Sequence, residues 1–107
     1  MGAPSITKLE QVFSLGGIYK SVCGYMNGPA SYTTAGDALL ATDIGLTTIQ
    51  YLVFVGCTDR LAIAVWAAND SPEKSVLVKI MSLAGVEVAN ASDQSTKKWR
   101  FFAIGLY

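Results

Sequence analysis

The chain has 107 residues, the size of one domain that can bury a sizeable core. Half of the residues are hydrophobic (51%), only 15% are charged, and eight basic residues balance eight acidic ones. This composition lacks the positive charge that marks a nucleic-acid binder, and that class is excluded. Since a neutral, apolar chain has little protection against association, we expect other subunits to cover part of its surface.

A membrane protein is not indicated either. The longest runs without charge, residues 21–36 and 44–58, are shorter than the roughly 20 residues that a membrane-spanning helix needs. The first residues, MGAPSIT, lack the basic region and apolar block of a signal peptide, and Ile6 stands where a myristoylation motif has Ser or Thr. We therefore expect a soluble protein made in a cytosol, with no membrane partner.

The N-terminal segment, residues 1–17, differs from the rest of the chain. Leu9, Val12 and Phe13 have helical spacing, but the pattern ends at two glycines after barely two turns. An isolated helix of that length is marginal. The segment therefore predicts either a short helix docked on the domain or an arm that reaches a neighbouring subunit, with residues 18–107 forming a single β domain.

The remainder of the chain is divided by turn sequences into segments of strand length. These segments are rich in β-branched and aromatic residues, as strands are. They are residues 18–26, 48–57, 61–68, 75–82 and 98–106. Together they predict an all-β fold, a small antiparallel β-sandwich or barrel of about six strands.

The last two of these segments alternate between an apolar face and a mixed face. The apolar sets are Val76, Val78 and Ile80, then Trp99, Phe101 and Ala103. Segments 48–57 and 61–68 are instead apolar on both faces, which indicates that both faces are covered. We expect a neighbouring subunit or a host surface to cover the second face, although a closed barrel with tall loops would give the same pattern.

Two connections between strands are predicted from their turn residues. Asp59 and Arg60 indicate a tight hairpin between the two apolar segments. Residues 69–74, NDSPEK, indicate a longer loop, because Pro72 cannot donate to a β ladder.

Residues 31–46, SYTTAGDALLATDIGL, predict a structural corner between the first strand and the apolar centre. Gly36 and Gly45 supply backbone freedom where the chain must turn. Asp37 and Asp43 are suited to hold those turns through hydrogen bonds from side chain to backbone.

Within this corner, residues 41–45 predict a single helical turn. Thr42 is the candidate N-cap, and Gly45 ends the turn. The residues expected to anchor the corner in the core are Leu39, Leu40, Ile44 and Leu46.

Several kinds of catalytic and metal site are excluded by the residues themselves. The chain has no histidine, so it has neither a Ser-His-Asp nor a Cys-His arrangement, nor a histidine zinc site. It also lacks the glycine-rich motifs of nucleotide binding. Cys23 and Cys57 lie far apart in apolar runs, so we expect buried free thiols, with a disulfide the less favoured alternative in a reducing compartment.

The carboxylates that lie close in sequence are the remaining candidates for chemistry. The pairs are Asp70 with Glu73, Asp37 with Asp43, and Glu87 with Asp93. We expect caps and solvated charges rather than acid–base pairs. A calcium site in the loop of the first pair is conceivable, but the spacing is not that of an EF-hand. We therefore predict no catalytic, cofactor or metal site, and no enzyme.

Trp66 and Trp99 allow two interpretations. Each is either a core residue with its indole N–H bonded, which is the commoner case, or part of an exposed platform for a sugar or a partner. Lys97, Lys98 and Arg100 form a basic cluster, for which the solvated start of a strand is the simpler interpretation than an anion site.

Two stretches, residues 31–49 and residues 87–107, together resemble a group of small structural proteins of tailed bacteriophages, encoded near the major capsid protein. That group has a Y-x-T-G-G-x-A-L element leading into D-L-G-L, and a late E-V-x-N-x-[ST]-D-L-S element before a terminal strand ending in A-x-G. The counterparts here are Tyr32, Thr34, Gly36, Ala38, Leu39, Asp43, Gly45 and Leu46, then Glu87, Val88, Asn90, Ser92, Asp93, Ser95, Ala103 and Gly105. The chain departs from the pattern at Ala35, where the group has Gly, and at Ile44 and Gln94, where it has Leu.

The resemblance implies a virion protein, and specifically a capsid cement or decoration protein that binds the major capsid protein and bridges capsomers. It implies a location on the capsid surface after synthesis in the bacterial host cytoplasm, and a trimer, since decoration proteins are commonly trimers. The candidate interface residues are Leu9, Val12, Phe13, Trp66, Phe102 and Ile104. The alternatives are a head–tail connector or tail component, and a carbohydrate-binding β-sandwich that uses Trp66 or Trp99.

Overall fold

Two antiparallel sheets make up the part of the chain that the computed structural model describes, residues 4–14, 19–66 and 74–106. The strands are β1 (Ser5–Ser14), β2 (Tyr19–Asn27), β3 (Asp37–Leu40), β4 (Thr48–Val55), β5 (Arg60–Val65), β6 (Ser75–Ser82) and β7 (Lys98–Leu106). A 3₁₀ turn, Ala41–Ile44, follows β3. One sheet has the order β1-β2-β7-β4 and the other the order β3-β6-β5, which confirms the predicted small all-β sandwich.

The predicted strand segments match five of these strands. The two alternating segments have the observed bounds of β6 and β7, and the other three differ from β2, β4 and β5 by at most three residues at either end. The two strands that were not predicted are β1 and β3, so the described chain has seven strands where about six were expected.

The short N-terminal helix was a wrong prediction. Residues 5–14 form β1, which pairs with β2 from Ser5 opposite Asn27 to Ser14 opposite Lys20. The backbone of a long ladder satisfies more hydrogen-bonding groups than two helical turns can, which explains the outcome. The side chains of the candidate interface residues Leu9, Val12 and Phe13 lie outside the described part of the structure.

The tight hairpin at Asp59 and Arg60 was also wrong. β4 pairs with β7 in one sheet and β5 pairs with β6 in the other, so this connection crosses between the sheets. Gly56 adopts φ +91° just after β4, a conformation that favours glycine. At the start of β5 the indole Nε1 of Trp99 donates to the Arg60 carbonyl at 3.2 Å, which ties this strand to β7 of the opposite sheet.

The core lies between the two sheets and follows the predicted alternation. Its largest fully buried side chains are Trp99, Tyr32, Met26, Leu39, Ile44, Ile49, Ile80, Val22 and Val78. The opposite faces of β6 and β7 are partly or fully exposed. The inner face of each strand is therefore fixed by its side-chain pattern, and the outer faces remain for contacts with other molecules.

Cys23 and Cys57 do not form a disulfide, and both side chains are partly buried rather than buried as predicted. The loop predicted at residues 69–74 lies outside the described residues except for Lys74. The described part of the chain contains no helix with the length and apolarity that a membrane crossing requires.

Candidate interaction surface

An exposed apolar patch lies on the outer face of the four-stranded sheet. It consists of Tyr51, Val53 and Val55 of β4 and Phe102 of β7, with exposed fractions of 66%, 55%, 60% and 41%. Val53 and Phe102 are direct neighbours across the ladder, so the patch is continuous. We call these four residues the apolar face. Leu52, between them in sequence, points into the core and is 6% exposed.

The apolar face is a consequence of the two-sided apolar pattern of β4. Alternate residues of a strand point to opposite faces, so a strand with no polar face must present apolar side chains outward. Nothing in the described residues covers this outward set. Contiguous apolar patches on the surfaces of small soluble proteins often mark binding sites. The apolar face is therefore the leading candidate for a contact surface.

Charged side chains border the apolar face at one end. Arg100 of β7 lies opposite Val55 of β4. Its guanidinium stands 5.3 Å from the ring centre of Tyr25 on β2. The Lys98 ammonium stands 5.5 Å from the same ring. Two members of the predicted basic cluster, Lys98 and Arg100, thus form a cationic rim stacked on an aromatic ring, next to an apolar centre, whereas Lys97 binds Asp59. An apolar centre with a polar rim is the usual anatomy of a protein interface.

The outer face of the three-stranded sheet also carries exposed apolar side chains. Leu61, Ile63 and Val65 of β5, Leu77 of β6 and Leu40 of β3 are between 38% and 49% exposed, each less than the β4 residues of the apolar face. Lys79 lies beside Ile63 and interrupts these apolar side chains. This second face is therefore a further candidate, with smaller exposed fractions and a charge within it.

Some of the predicted interface residues lie at the apolar face, and others lie in or against the core. Phe102 belongs to the apolar face, and the partly buried Ile104 lies next to Tyr51 at its edge. Trp66 instead packs against the core, and its Nε1 donates to the Ile49 carbonyl at 3.3 Å. Trp99 is 1% exposed, so the interpretation as a core residue is confirmed for it and the platform alternative is wrong.

The structural corner has the predicted hydrogen bonds. Asp37 Oδ2 accepts from the backbone N–H of Thr33 at 3.2 Å, and Asp43 Oδ2 accepts from that of Leu40 at 3.0 Å. Gly36 and Gly45 have φ of +116° and +82°, and Gly45 ends the 3₁₀ turn as predicted.

Two details of the corner differ from prediction. The N-cap of the 3₁₀ turn is Leu40, not Thr42, because Asp43 reaches back to the Leu40 N–H. Leu40 itself is 49% exposed and does not anchor the corner in the core, whereas Leu39, Ile44 and Leu46 are buried. The alternation of β3 explains this, since Leu39 takes the inward position.

A hydrogen-bonded junction joins residues 31–49 to residues 87–107. The Tyr32 hydroxyl donates to Glu87 Oε2 at 2.6 Å, and the Ala35 N–H donates to the same oxygen at 2.6 Å. The Thr34 N–H donates to Asn90 Oδ1 at 3.1 Å. The Tyr32 hydroxyl also accepts from the Ile80 N–H at 3.2 Å, so it is satisfied although it is buried.

The ionisation of this junction follows from these contacts. The bond from the Tyr32 hydroxyl, then that from the Ala35 N–H, holds the pKa of Glu87 below its usual range. Burial, followed by the bond to the Glu87 carboxylate, raises the pKa of Tyr32 well above its usual range. Glu87 is therefore a charged structural clamp with its oxygen already bonded, and it is not placed to act as a general base.

A shallow cleft of about 270 Å³ lies between the β4–β5 connection and the segment before β7. Asp59 Oδ2 receives the Lys97 ammonium at 2.6 Å, and this bond is the main reason that the pKa of Asp59 lies below its usual range. The Cys57 thiol donates to Asp59 Oδ1 at 3.6 Å. These polar groups form hydrogen bonds with one another, so the contacts in the cleft do not indicate a catalytic or binding role for them.

Among the carboxylates of the predicted pairs that the structure describes, Asp37, Asp43 and Asp93 accept local hydrogen bonds as expected, whereas Glu87 accepts from the distant Tyr32 hydroxyl. Asp93 Oδ1 accepts from both the N–H and the hydroxyl of Ser95, at 2.9 and 2.6 Å. Asp70 and Glu73 lie outside the described residues. Within residues 4–14, 19–66 and 74–106, no three His, Cys, Asp or Glu residues are grouped as a metal site would need.

The sequence pattern did not indicate the Tyr32–Glu87 junction or the Asp59–Lys97 pair, because both join residues that are distant along the chain. Comparison of the chain with protein-family models, with curated proteins and with solved structures found no match in any of the three. The fold and the apolar face are therefore the structural basis on which a function can be argued.

Proposed function

We propose that the protein is a non-enzymatic structural component of a bacteriophage virion, a capsid cement or decoration protein. It binds the shell of major capsid protein through the apolar face and stabilises it. The observation that carries the proposal is the continuous apolar face of Tyr51, Val53, Val55 and Phe102, exposed on one side of a sandwich. The resemblance of residues 31–49 and 87–107 to small phage structural proteins supplies the identity of the partner.

The mechanism requires no reacting group. Each Å² of apolar surface that the shell covers contributes about 25 cal/mol, before the cost of ordering the two surfaces. The cationic rim at Lys98 and Arg100 fixes the orientation, since charged groups around an interface contribute more to specificity than to affinity. A protein that contacts two neighbouring capsomers in this way adds contacts that must break before the shell can open.

The junction between the two resembling stretches supports an architectural role for them. Tyr32 and Glu87 lie 55 positions apart, yet their side chains bond directly. The backbone continues the junction, because the Tyr32 N–H donates to the Ser92 carbonyl and the Ala91 N–H donates to the Tyr32 carbonyl. The motif residues therefore hold the end of the sandwich together and leave the apolar face free for binding.

Among the alternatives, a connector or tail component would use the same face in a ring or a tube. The number of copies per virion separates the two, since a cement protein is spread over the whole shell. The carbohydrate-binding alternative is weakened by the burial of Trp99 and by the bond from the Trp66 indole to the Ile49 carbonyl.

The proposal is tested by co-sedimentation of the purified protein with expanded empty capsids of the phage that encodes it. Phe102→Asp places a charge at the centre of the apolar face, and we expect it to weaken binding at least about tenfold. Leu83→Asp is the matched control, because Leu83 is also exposed (59%) but follows β6, away from the face. Equal binding by both variants, or no binding by the wild type, would overturn the proposal.

A further inference from the structure

The sandwich has two open sides, and they differ in how their edges are protected. β4 and β5 contact each other at one side, whereas β1 and the 3₁₀ turn after β3 contact each other at the other. Open edge strands invite pairing with other chains, and proteins block this with charges, irregular pairing or short strands. The comparison of the two sides therefore indicates where a partner strand is expected.

The side of β1 and β3 is protected in these ways. The ladder of β1 with β2 is interrupted by register shifts at Lys8/Glu10 and Gln11/Phe13. β3 has only four residues. Each feature makes a regular added strand unfavourable on this side.

Among the described residues, the side of β4 has none of these protecting features over residues 51–55. β4 has eight residues without a charge or a proline, and its register shift lies at its start, between Ile49 and Tyr51. The Ile49 carbonyl is bonded by the Trp66 indole. β5 is shorter and begins at Arg60. Among the described residues, no strand pairs with the outer edge of β4 over residues 51–55.

We propose that residues 51–55 of β4 pair antiparallel with the same residues of a second copy, across a two-fold axis at Val53. This register places Tyr51 opposite Val55 on the outer face and Leu52 opposite Phe54 on the inner face. Tyr51 with Val55 is a favourable pair of an aromatic and a β-branched side chain, Leu52 with Phe54 is an apolar pair, and no like charges meet. The segment is thus complementary to itself, which is what a two-fold interface requires.

A second copy fits this edge better than an unrelated strand for a further reason. The chain has no net charge, so two copies do not repel each other at long range. Pairing would join two four-stranded sheets into one continuous sheet and set the two apolar faces side by side. A two-fold axis relates two copies and leaves no free β4 edge for a third. The oligomer is therefore a dimer, in place of the trimer that the phage resemblance implies. This inference goes beyond shell binding and does not depend on it.

Cross-linking tests the axis. In a background with Cys23→Ala and Cys57→Ala, the variant Val53→Cys places a single thiol next to its own equivalent. Mild oxidation or a short bis-maleimide should join it into a covalent dimer. Val86→Cys in the same background is the control, since Val86 is at least as exposed (66%, against 55% for Val53) in the turn after β6. Equal cross-linking of the two variants would overturn the proposal.

Sedimentation of the full chain provides the second measurement. The wild type should sediment as a dimer, and Val53→Lys should raise the dissociation constant at least about tenfold, because two lysines would face each other at the axis. Val86→Lys should leave the dimer unchanged. A wild type that is a monomer or a trimer would contradict the pairing, and circular dichroism of each variant verifies that it folds. Capsid binding by Phe102→Asp is a separate readout, so the failure of one proposal is distinguishable from the failure of the other.

Discussion

At the scale of single residues, the corner and its junction combine a strained backbone with a charged clamp. Ala35 has φ +76°, a left-handed conformation in which a Cβ costs roughly 1–2 kcal/mol. Its N–H donates to Glu87, which holds the residue there. A left-handed φ favours glycine over alanine at this position.

Ala35→Gly should therefore raise the free energy of unfolding by up to about 1 kcal/mol, since relief of strain exceeds the added entropy of the unfolded chain. Ala38→Gly is the matched control, because Ala38 is exposed in the extended strand β3 and the same change there should be destabilising. Urea unfolding measures both variants. A destabilised Ala35→Gly would show that the left-handed conformation is not maintained.

The Glu87 clamp predicts a dependence of stability on pH. Its pKa is lower in the folded state than in the unfolded chain, so its contribution is complete above the ordinary pKa of a glutamate. The contribution is lost as the pH falls through the lower folded value. The other groups at the junction are Tyr32, Asp37 and Lys79, and Lys79 also favours the charged carboxylate.

Glu87→Gln should lower the melting temperature at pH 7 and make its decline in acid less steep. Tyr32→Phe, added to that variant, should cost less than Tyr32→Phe alone, because the two residues share one hydrogen bond. Thermal unfolding between pH 7 and pH 3 measures both effects. Strictly additive losses, or an unchanged acid slope, would show that Glu87 does not act through Tyr32.

At the scale of strands, the alternation of side chains determines which substitutions the isolated protein tolerates. Ile80→Ala should reduce the free energy of unfolding by about 2–5 kcal/mol, because Ile80 is fully buried on the inner face of β6. Leu77→Ala, on the outer face of the same strand, should cost much less. Comparable losses in urea unfolding would mean that another part of the protein covers the outer face.

The same alternation explains which strands the sequence could predict. β6 and β7 follow a period of two without interruption, and their bounds were predicted correctly. The register shifts in β1 break that period, so Leu9, Val12 and Phe13 acquire helical spacing in a strand. β3 is too short to show a period, and the crossing at Asp59 depends on Trp99, which lies far along the chain.

The candidate surface was predictable only in part. The apolar pattern of β4 indicated an exposed face, and Phe102 was correctly assigned to a surface position. Trp66 has the same hydrophobic character, yet it packs on the core, because burial depends on the partner across the sandwich and not on the residue type. The Tyr32–Glu87 junction required the three-dimensional structure, since its members bond across 55 positions.

At the scale of the whole molecule, a neutral, apolar chain forms a sandwich in which the described residues leave the apolar face exposed and the outer edge of β4 unpaired. We propose that the capsid shell covers the face and that a second copy pairs with the edge. Both contacts would bury apolar surface that an isolated domain exposes to water. Such burial would offset the tendency of a chain with so few charges to associate nonspecifically.

The melting temperature of expanded empty capsids tests most directly whether the protein stabilises the shell, as we propose. Calorimetry of capsids with and without saturating protein should show a higher melting temperature with the wild type. The increase should be lost with Phe102→Asp and kept with Leu83→Asp. A melting temperature that the wild-type protein leaves unchanged would contradict the account.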